Sequence, residues 1–86
     1  MTTSRVLEGQ KHTFVLLPVL REYESSLYYD VFRHGHKVAR VSVEAVVQVA
    51  LEDPRVDSID LEEDMMHLFG TDDFTYVTRE ELSGVS

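Results

Sequence analysis

The first strongly apolar stretch of the chain begins at His12 and predicts a β-strand. It reads His-Thr-Phe-Val-Leu-Leu before Pro18, and its β-branched and aromatic residues favour a strand. Pro18 has no N–H to donate to a ladder, so it marks the end of the strand, a bulge or an edge position. The polar residues before this stretch, 1–11, are expected to be a flexible lead-in.

Residues 27–43 predict a β-hairpin whose turn contains Gly35, because two alternating apolar runs flank the segment 33–36. The favoured register places Arg33 opposite Lys37, since this arrangement groups the apolar residues on one face. It pairs Val31 with Ala39, Tyr29 with Val41, Leu27 with Val43, Phe32 with Val38 and Asp30 with Arg40. The last pair joins opposite charges and supports the same register.

A helix is predicted after the hairpin, with Ser42 as its N-cap. One apolar stripe at helical spacing supports it: Val43, Val46, Val47, Ala50 and Leu51. The valines are poor helix formers, so a strand that continues to Val47 is the alternative. Pro54 ends the element in either case.

A second helix is predicted from Asp60 to Phe69. Asp60 is a possible N-cap with Glu63 three residues later, and Gly70 suits the position just after the C-terminus. The predicted buried stripe is Leu61, Met65, Leu68 and Phe69. The stripe leaves Glu62, Glu63, Asp64 and His67 facing water.

The C-terminal residues predict a short strand and one further helical turn. Residues 74–77 form the possible fourth strand, and Thr78 with Glu81 matches a capping box before a flexible tail at 83–86. The resulting architecture is a single α+β domain spanning 1–86. It is an antiparallel β-meander of three to four strands with two α-helices packed on one face.

The charge of the chain is concentrated in its C-terminal half. The net charge is −8; residues 1–43 carry +2 and residues 44–86 carry −10. Direct binding to nucleic acid is disfavoured, because neutralising phosphates requires a basic surface. The absence of Cys favours a cytoplasmic location. The longest apolar run, 14–20, is too short to span a membrane.

No motif for catalysis, a cofactor or a metal is found in the sequence. His34 and His36 flank the turn glycine, and His12 is a third candidate ligand. A histidine metal site needs about three convergent protein ligands, so the turn is interpreted as an exposed hairpin tip without metal. No segment has the spacing of a calcium loop, a nucleophile elbow or a phosphate-binding loop. The sequence therefore predicts a protein that is not an enzyme.

The acidic surface is the main candidate for function. Its predicted partner-binding residues are Glu44, Glu52, Asp53, Asp57, Asp60, Glu62, Glu63, Asp64, Asp72 and Asp73. Carboxylates at helical spacing imitate the phosphates of nucleic acid to a basic cleft. The expected partner is a basic protein or a nucleic-acid-binding complex, which the chain would block by competition. The simpler alternative is that these charges only keep the protein soluble.

In gross form the chain is similar to the DNA-mimic proteins of phages and mobile elements, such as anti-restriction and anti-CRISPR proteins. The similarity is one of size, acidity, compactness and lack of Cys, and it identifies no site residues. The second functional hypothesis is a structural or assembly subunit. In the predicted register Tyr28 and Phe32 lie on the sheet face opposite the core, where they would support a homodimer.

Overall fold

A mixed β-sheet forms the frame of the molecule. The computed structural model describes residues 5–17 and 27–82, so the predictions for Pro18, for residues 1–4 and for the tail lie outside the described residues. In the described part, the strands are β1 (Val6–Glu8), β2 (Thr13–Leu16), β3 (Leu27–Arg33), β4 (His36–Val43), β5 (Val47–Leu51) and β6 (Phe74–Tyr76). They lie side by side in chain order. The helices are α1 (Ser58–Phe69) and α2 (Arg79–Leu82).

The α+β class is confirmed, but the sheet is larger than predicted and is not wholly antiparallel. The first four pairings are antiparallel, whereas β5 and β6 are parallel. Parallel neighbours need a long crossover connection, and α1 lies in the segment that connects β5 to β6. The prediction of a flexible lead-in is wrong for the described residues 5–11, since Val6 pairs with Val15 and Leu7 with Phe14.

The β3–β4 hairpin has the predicted register through most of its length. Asp30 lies opposite Arg40 and Tyr29 opposite Val41, but the register shifts after Val31. Near the turn the observed pairs are Phe32 with Lys37 and Arg33 with His36. The predicted pairing of Phe32 with Val38 and of Arg33 with Lys37 is therefore wrong.

A β-bulge explains this difference in register. The hairpin loop contains two residues, His34 and Gly35, with φ angles of 54° and 78°. A two-residue loop with both angles positive has the twist that matches two neighbouring strands. Val38 is left as the extra residue of β4, and the bulge accommodates it.

The predicted helix after Ser42 is also wrong, because residues 47–51 form strand β5. Val43 pairs with Val47 and Val41 with Val49 across a connection formed by residues 44–46. Val47 and Val49 are fully buried. The preference of β-branched residues for a sheet therefore prevails over the helical spacing of the apolar stripe.

Helix α1 covers the sheet face that carries the main core. Its Leu61 and Met65 belong to one apolar cluster with the strand residues Phe14, Val31 and Val41. Phe69 makes edge-on contact with the Phe14 ring, with the ring centres 5.7 Å apart. Of the predicted stripe, Leu61 and Met65 are fully buried, whereas Leu68 and Phe69 are half-buried and pack against the same cluster.

The ends of α1 are defined by two capping residues. Gly70 adopts the left-handed conformation and its N–H donates to the carbonyl oxygen of Met66, as predicted for a glycine at this position. The predicted N-cap, Asp60, is wrong: Asp57 caps the helix by accepting from the N–H groups of Ile59 and Asp60. The helix therefore begins about one turn earlier than predicted.

The predicted capping box at the C-terminus is present. The Thr78 hydroxyl accepts from the N–H of Glu81 at 3.1 Å, and the Glu81 carboxylate accepts from the N–H of Thr78 at 3.4 Å. Helix α2 follows it and contacts β5, with Leu82 buried. Helix α2 therefore lies beside β5, the strand for which the sequence predicts a helix.

Candidate functional site

Most of the ten predicted partner-binding carboxylates make contacts within the protein. Asp60 Oδ1 lies 2.8 Å from Lys11 Nζ, and Asp60 Oδ2 lies 3.5 Å from Arg33. Asp53 pairs with Arg55, Glu52 pairs with Lys37, and Asp57 caps α1. The contact with Lys11 holds the pKa of the Asp60 carboxyl below its usual value. These groups are already partly neutralised or bonded.

Asp64 is buried, which corrects the prediction that it faces water. Only 2% of the residue is exposed. Its side chain points from α1 toward the turn between β1 and β2 rather than outward. It therefore cannot belong to an exposed acidic face.

The Asp64 carboxylate accepts four hydrogen bonds from that turn. Oδ1 accepts from the N–H of Gln10 at 2.8 Å, and Oδ2 accepts from the N–H groups of Lys11 and His12 at 2.9 and 2.8 Å. Oδ2 also lies 2.8 Å from His12 Nδ1, which must donate to a carboxylate. We call this arrangement the Asp64 clamp: Gly9, Gln10, Lys11, His12 and Asp64. It ties α1 to the first hairpin.

The clamp requires glycine at position 9. A Cβ atom there would lie 2.7 Å from Asp64 Cγ and 2.8 Å from Oδ2. Such distances are well inside ordinary carbon contacts. The N–H of Gly9 also donates to the carbonyl oxygen of His12 at 2.8 Å, which closes the turn.

The clamp gives the protein a predicted sensitivity to acid. Burial alone would raise the pKa of the Asp64 carboxyl, but the bonds from His12 and from the backbone N–H groups outweigh it and hold the pKa below 3.8. A depressed folded-state pKa adds stability above the unfolded pKa, and this contribution is lost as pH falls through the folded value. In denaturant titrations between pH 5 and pH 2, the stability advantage of wild type over Asp64→Asn should narrow below about pH 4. An advantage that stays constant across this range would contradict the assignment.

The His12 ring is enclosed with Asp64. Its side chain is wholly buried, and within the described part of the chain its Nε2 atom has no hydrogen-bond partner. A catalytic histidine must reach its substrate within hydrogen-bond distance. The burial of both groups therefore suits a structural role in holding the turn.

The solvent-facing side of α1 combines exposed apolar and acidic side chains. Ile59 and Met66, two helical turns apart, are 66% and 47% exposed. Glu62 and Glu63 lie between them, and the Tyr76 hydroxyl of the neighbouring strand β6 donates to Glu62. Burial raises the pKa of the Tyr76 hydroxyl, and the hydrogen bond to Glu62 raises it further. We call these five residues the outer α1 face.

Three further predicted carboxylates lie together at one end of the sheet. Glu44 is in the β4–β5 connection, and Asp72 and Asp73 directly precede β6. The carbonyl oxygen of Asp73 accepts from the N–H of Val47 at 3.0 Å, so the two connections are neighbours. The C-terminal end of α1 approaches the same end of the sheet, because Phe69 contacts Tyr29.

The opposite end of the sheet contains a cleft of about 440 Å³. It lies between the β3–β4 turn and the connection from β5 to α1. Its lining residues are Arg33, His34, His36, Val38, Asp53, Arg55, Val56 and Asp57. The acidic and the histidine-rich regions are therefore separated along the strand direction.

The sheet face opposite α1 carries the two predicted self-association residues. Tyr28 is only 6% exposed within the single chain, whereas Phe32 is half-buried. Asp30 on the same face lies 2.9 Å from Arg40 Nε and 3.2 Å from Lys37 Nζ. A charged network therefore interrupts this face between the two aromatic residues.

No group of three His, Asp or Glu side chains in the described residues is arranged to hold a metal ion. In particular, His34 and His36 gain no third ligand from the connection beside them. Among the described residues, no helix is both long and apolar enough to cross a membrane.

Comparison with protein-family models, with curated proteins and with solved structures finds no match to this chain. Its function is therefore argued from its own surfaces.

Sequence reasoning did not identify the apolar part of the outer α1 face or the cleft. Ile59 and Met66 do carry a signal, since both lie outside the predicted buried stripe of α1. Exposed apolar residues flanking carboxylates are a feature of contact surfaces. The cleft has no comparable signal, because Arg33 and Arg55 become neighbours only when the sheet and α1 assemble.

Proposed function

We propose that this protein is a non-enzymatic inhibitor or adaptor that presents the outer α1 face to a basic, nucleic-acid-binding protein or complex. It would block that partner by occupying the surface that otherwise holds nucleic acid, as DNA-mimic proteins do. The acidic end formed by Glu44, Asp72 and Asp73 would extend the contact. Asp64 has no part in this surface, because it is buried.

The observation that carries the proposal is the state of the Glu62 and Glu63 carboxylates. Among the described residues, no Lys, Arg or His lies within ion-pair distance of either. Asp53 and Asp60, by contrast, each have a cation within 3.5 Å. Lys11 acts on Glu63 through its charge without forming an ion pair with it. Both carboxylates can therefore pair with the cations of a basic partner.

The apolar members of the outer α1 face add a second reason to expect a protein partner. Ile59, Met66 and Tyr76 are each more than 40% exposed. Aromatic residues and Met are enriched at protein interfaces, where they anchor the contact. Charge would guide the encounter and set its salt dependence, while these anchors would slow dissociation.

The proposal is tested by capture from extracts of the native host with wild type and with Glu62→Lys/Glu63→Lys. The matched control is Glu8→Lys/Glu80→Lys, which makes the same charge change at two exposed positions elsewhere. We expect wild type and the control to retain the same basic protein, and the Glu62/Glu63 variant to bind it at least about tenfold more weakly. Binding should also fall as salt rises, because exposed charges are screened.

Circular dichroism of each variant establishes that the fold is retained. Equal capture by the Glu62/Glu63 variant would contradict the proposal, as would a captured protein whose binding does not respond to salt.

A further inference from the structure

The cleft beside the β3–β4 turn is chemically distinct from the rest of this acidic protein. Two guanidinium groups and two imidazoles border it: those of Arg33, Arg55, His34 and His36. Val38 and Val56 supply an apolar part of its wall. The volume of about 440 Å³ lies in the range of pockets that hold small molecules.

The two carboxylates that line the cleft are already occupied. Asp53 accepts from the backbone N–H of Arg55 at 2.9 Å and from its guanidinium Nε at 3.2 Å, which holds the pKa of Asp53 below its usual value. Asp57 accepts from two N–H groups at the start of α1. Because both carboxylates already accept hydrogen bonds from the protein, they oppose an anionic ligand less than free carboxylates would.

The basic groups retain unused donors. The guanidinium of Arg55 uses two of its nitrogens on Asp53, and its side chain is 89% exposed. In the part of the chain that the structure describes, neither the His34 nor the His36 imidazole makes a side-chain hydrogen bond or ion pair. An imidazole N–H and a guanidinium fork are donors suited to an oxyanion.

The backbone at His34 is a second, independent feature of the cleft. It is the one described residue other than glycine with a positive φ, at 54°. Gly, Asn and Asp are the commonest residues at this position of such a turn, and His is also enriched there. The turn fixes the backbone of His34 at the rim of the cleft.

From these observations we propose that the cleft binds a phosphate group, carried by a small phosphate monoester whose organic part contacts Val38 and Val56. Arg55, His34 and His36 would donate to the phosphate oxygens.

A metal ion is less suited to the cleft, since no three ligating side chains converge among the described residues. Asp72 and Asp73 lie at the opposite end of the sheet. Their repulsion of a bound phosphate is small, because charge effects are screened beyond about 10 Å at 0.1 M salt. This site is separate from the outer α1 face and does not depend on the function proposed for that face.

The test is a titration of the ¹⁵N-labelled protein with inorganic phosphate and with phenyl phosphate at constant ionic strength. We expect saturable shifts of the amide signals of residues 33–36 and 53–57. Phenyl phosphate should bind several-fold more tightly, because its ring adds apolar contact. Equal affinities would overturn the assignment to a monoester, and the absence of saturable shifts would overturn the site.

Three variants and one control localise the binding. Arg55→Gln and His36→Gln should each weaken phenyl phosphate binding by about tenfold, since each removes a charged or directional donor. His34→Asn should weaken binding while leaving the turn at least as stable, because Asn tolerates the left-handed conformation. Arg5→Gln removes the same charge as Arg55→Gln from an exposed position beside β1 and should bind as wild type does. Equal weakening by Arg5→Gln would overturn the proposal in favour of a general charge effect.

Discussion

Replacement of Asp64 by alanine is expected to lower the free energy of unfolding by about 3–5 kcal/mol, because each buried donor left without an acceptor costs about 1–3 kcal/mol. The carboxylate accepts from three backbone N–H groups and from the His12 ring. Alanine would leave these donors without an acceptor inside a folded turn. Since small domains have total stabilities of about 5–15 kcal/mol, this one side chain supports a large share of the fold.

Urea denaturation followed by circular dichroism measures this effect. Asp64→Asn keeps the shape and one oxygen acceptor, so its cost should be smaller, about 1–3 kcal/mol. The matched control is Glu63→Ala, which removes a neighbouring carboxylate from an exposed position and should change stability by less than about 0.5 kcal/mol. Equal effects of Asp64→Ala and Glu63→Ala would show that the clamp does not stabilise the protein.

Gly9→Ala is expected to destabilise the protein by about 1–3 kcal/mol, in the range of other overpacking substitutions. The new methyl group would lie 2.7 Å from Asp64 Cγ. A free side chain would rotate away at little cost, but this carboxylate is held by its bonds to the turn. To remove this close contact, either the β1–β2 turn or α1 must shift.

Thermal and urea unfolding of Gly9→Ala test this expectation, with Glu8→Ala as the control at the adjacent exposed position. The control should stay within about 0.5 kcal/mol of wild type. Amide shifts confined to residues 9–12 and to the neighbourhood of Asp64 would locate the strain. A variant as stable as wild type would mean that the clamp tolerates an added methyl group.

Local signals in the sequence were sufficient for several elements. Gly70 ends α1 because the backbone there is left-handed, and Thr78 with Glu81 forms the expected capping box. The hairpin register from Leu27 to Val31 follows from cross-strand chemistry, including the pair of Asp30 with Arg40. In each case the deciding contacts lie within a few residues of each other or across one turn.

The errors arose where contacts across the fold decide the conformation. Residues 47–51 have helical spacing of apolar positions, but the neighbouring strands β4 and β6 provide a ladder that a helix cannot use. Likewise, β1 has only three residues and becomes a strand through its pairing with β2. Tertiary pairing therefore overrides a local pattern that is ambiguous between helix and strand.

The candidate site was only partly predictable for the same reason. The helical spacing of the apolar residues predicts a solvent-facing position for Asp64, because it lies outside the buried stripe of α1. Its hydrogen-bond partners are 52 to 54 residues away in the chain, and the spacing of apolar residues gives no information about such a contact. The correction matters for experiment, because a reversal of Asp64 together with Glu62 and Glu63 is expected to destabilise the fold and so to mimic a loss of binding. Only Glu62 and Glu63 should be changed.

The most direct test of the central claim, that the outer α1 face competes with nucleic acid for a basic partner, uses the captured protein after purification. Fluorescence anisotropy would follow its release from a labelled nucleic acid as this chain is added. The account predicts full displacement by wild type and by Glu8→Lys/Glu80→Lys, with at least about tenfold more of Glu62→Lys/Glu63→Lys needed for the same release. A ternary complex in which the partner holds the nucleic acid and this chain together would contradict it.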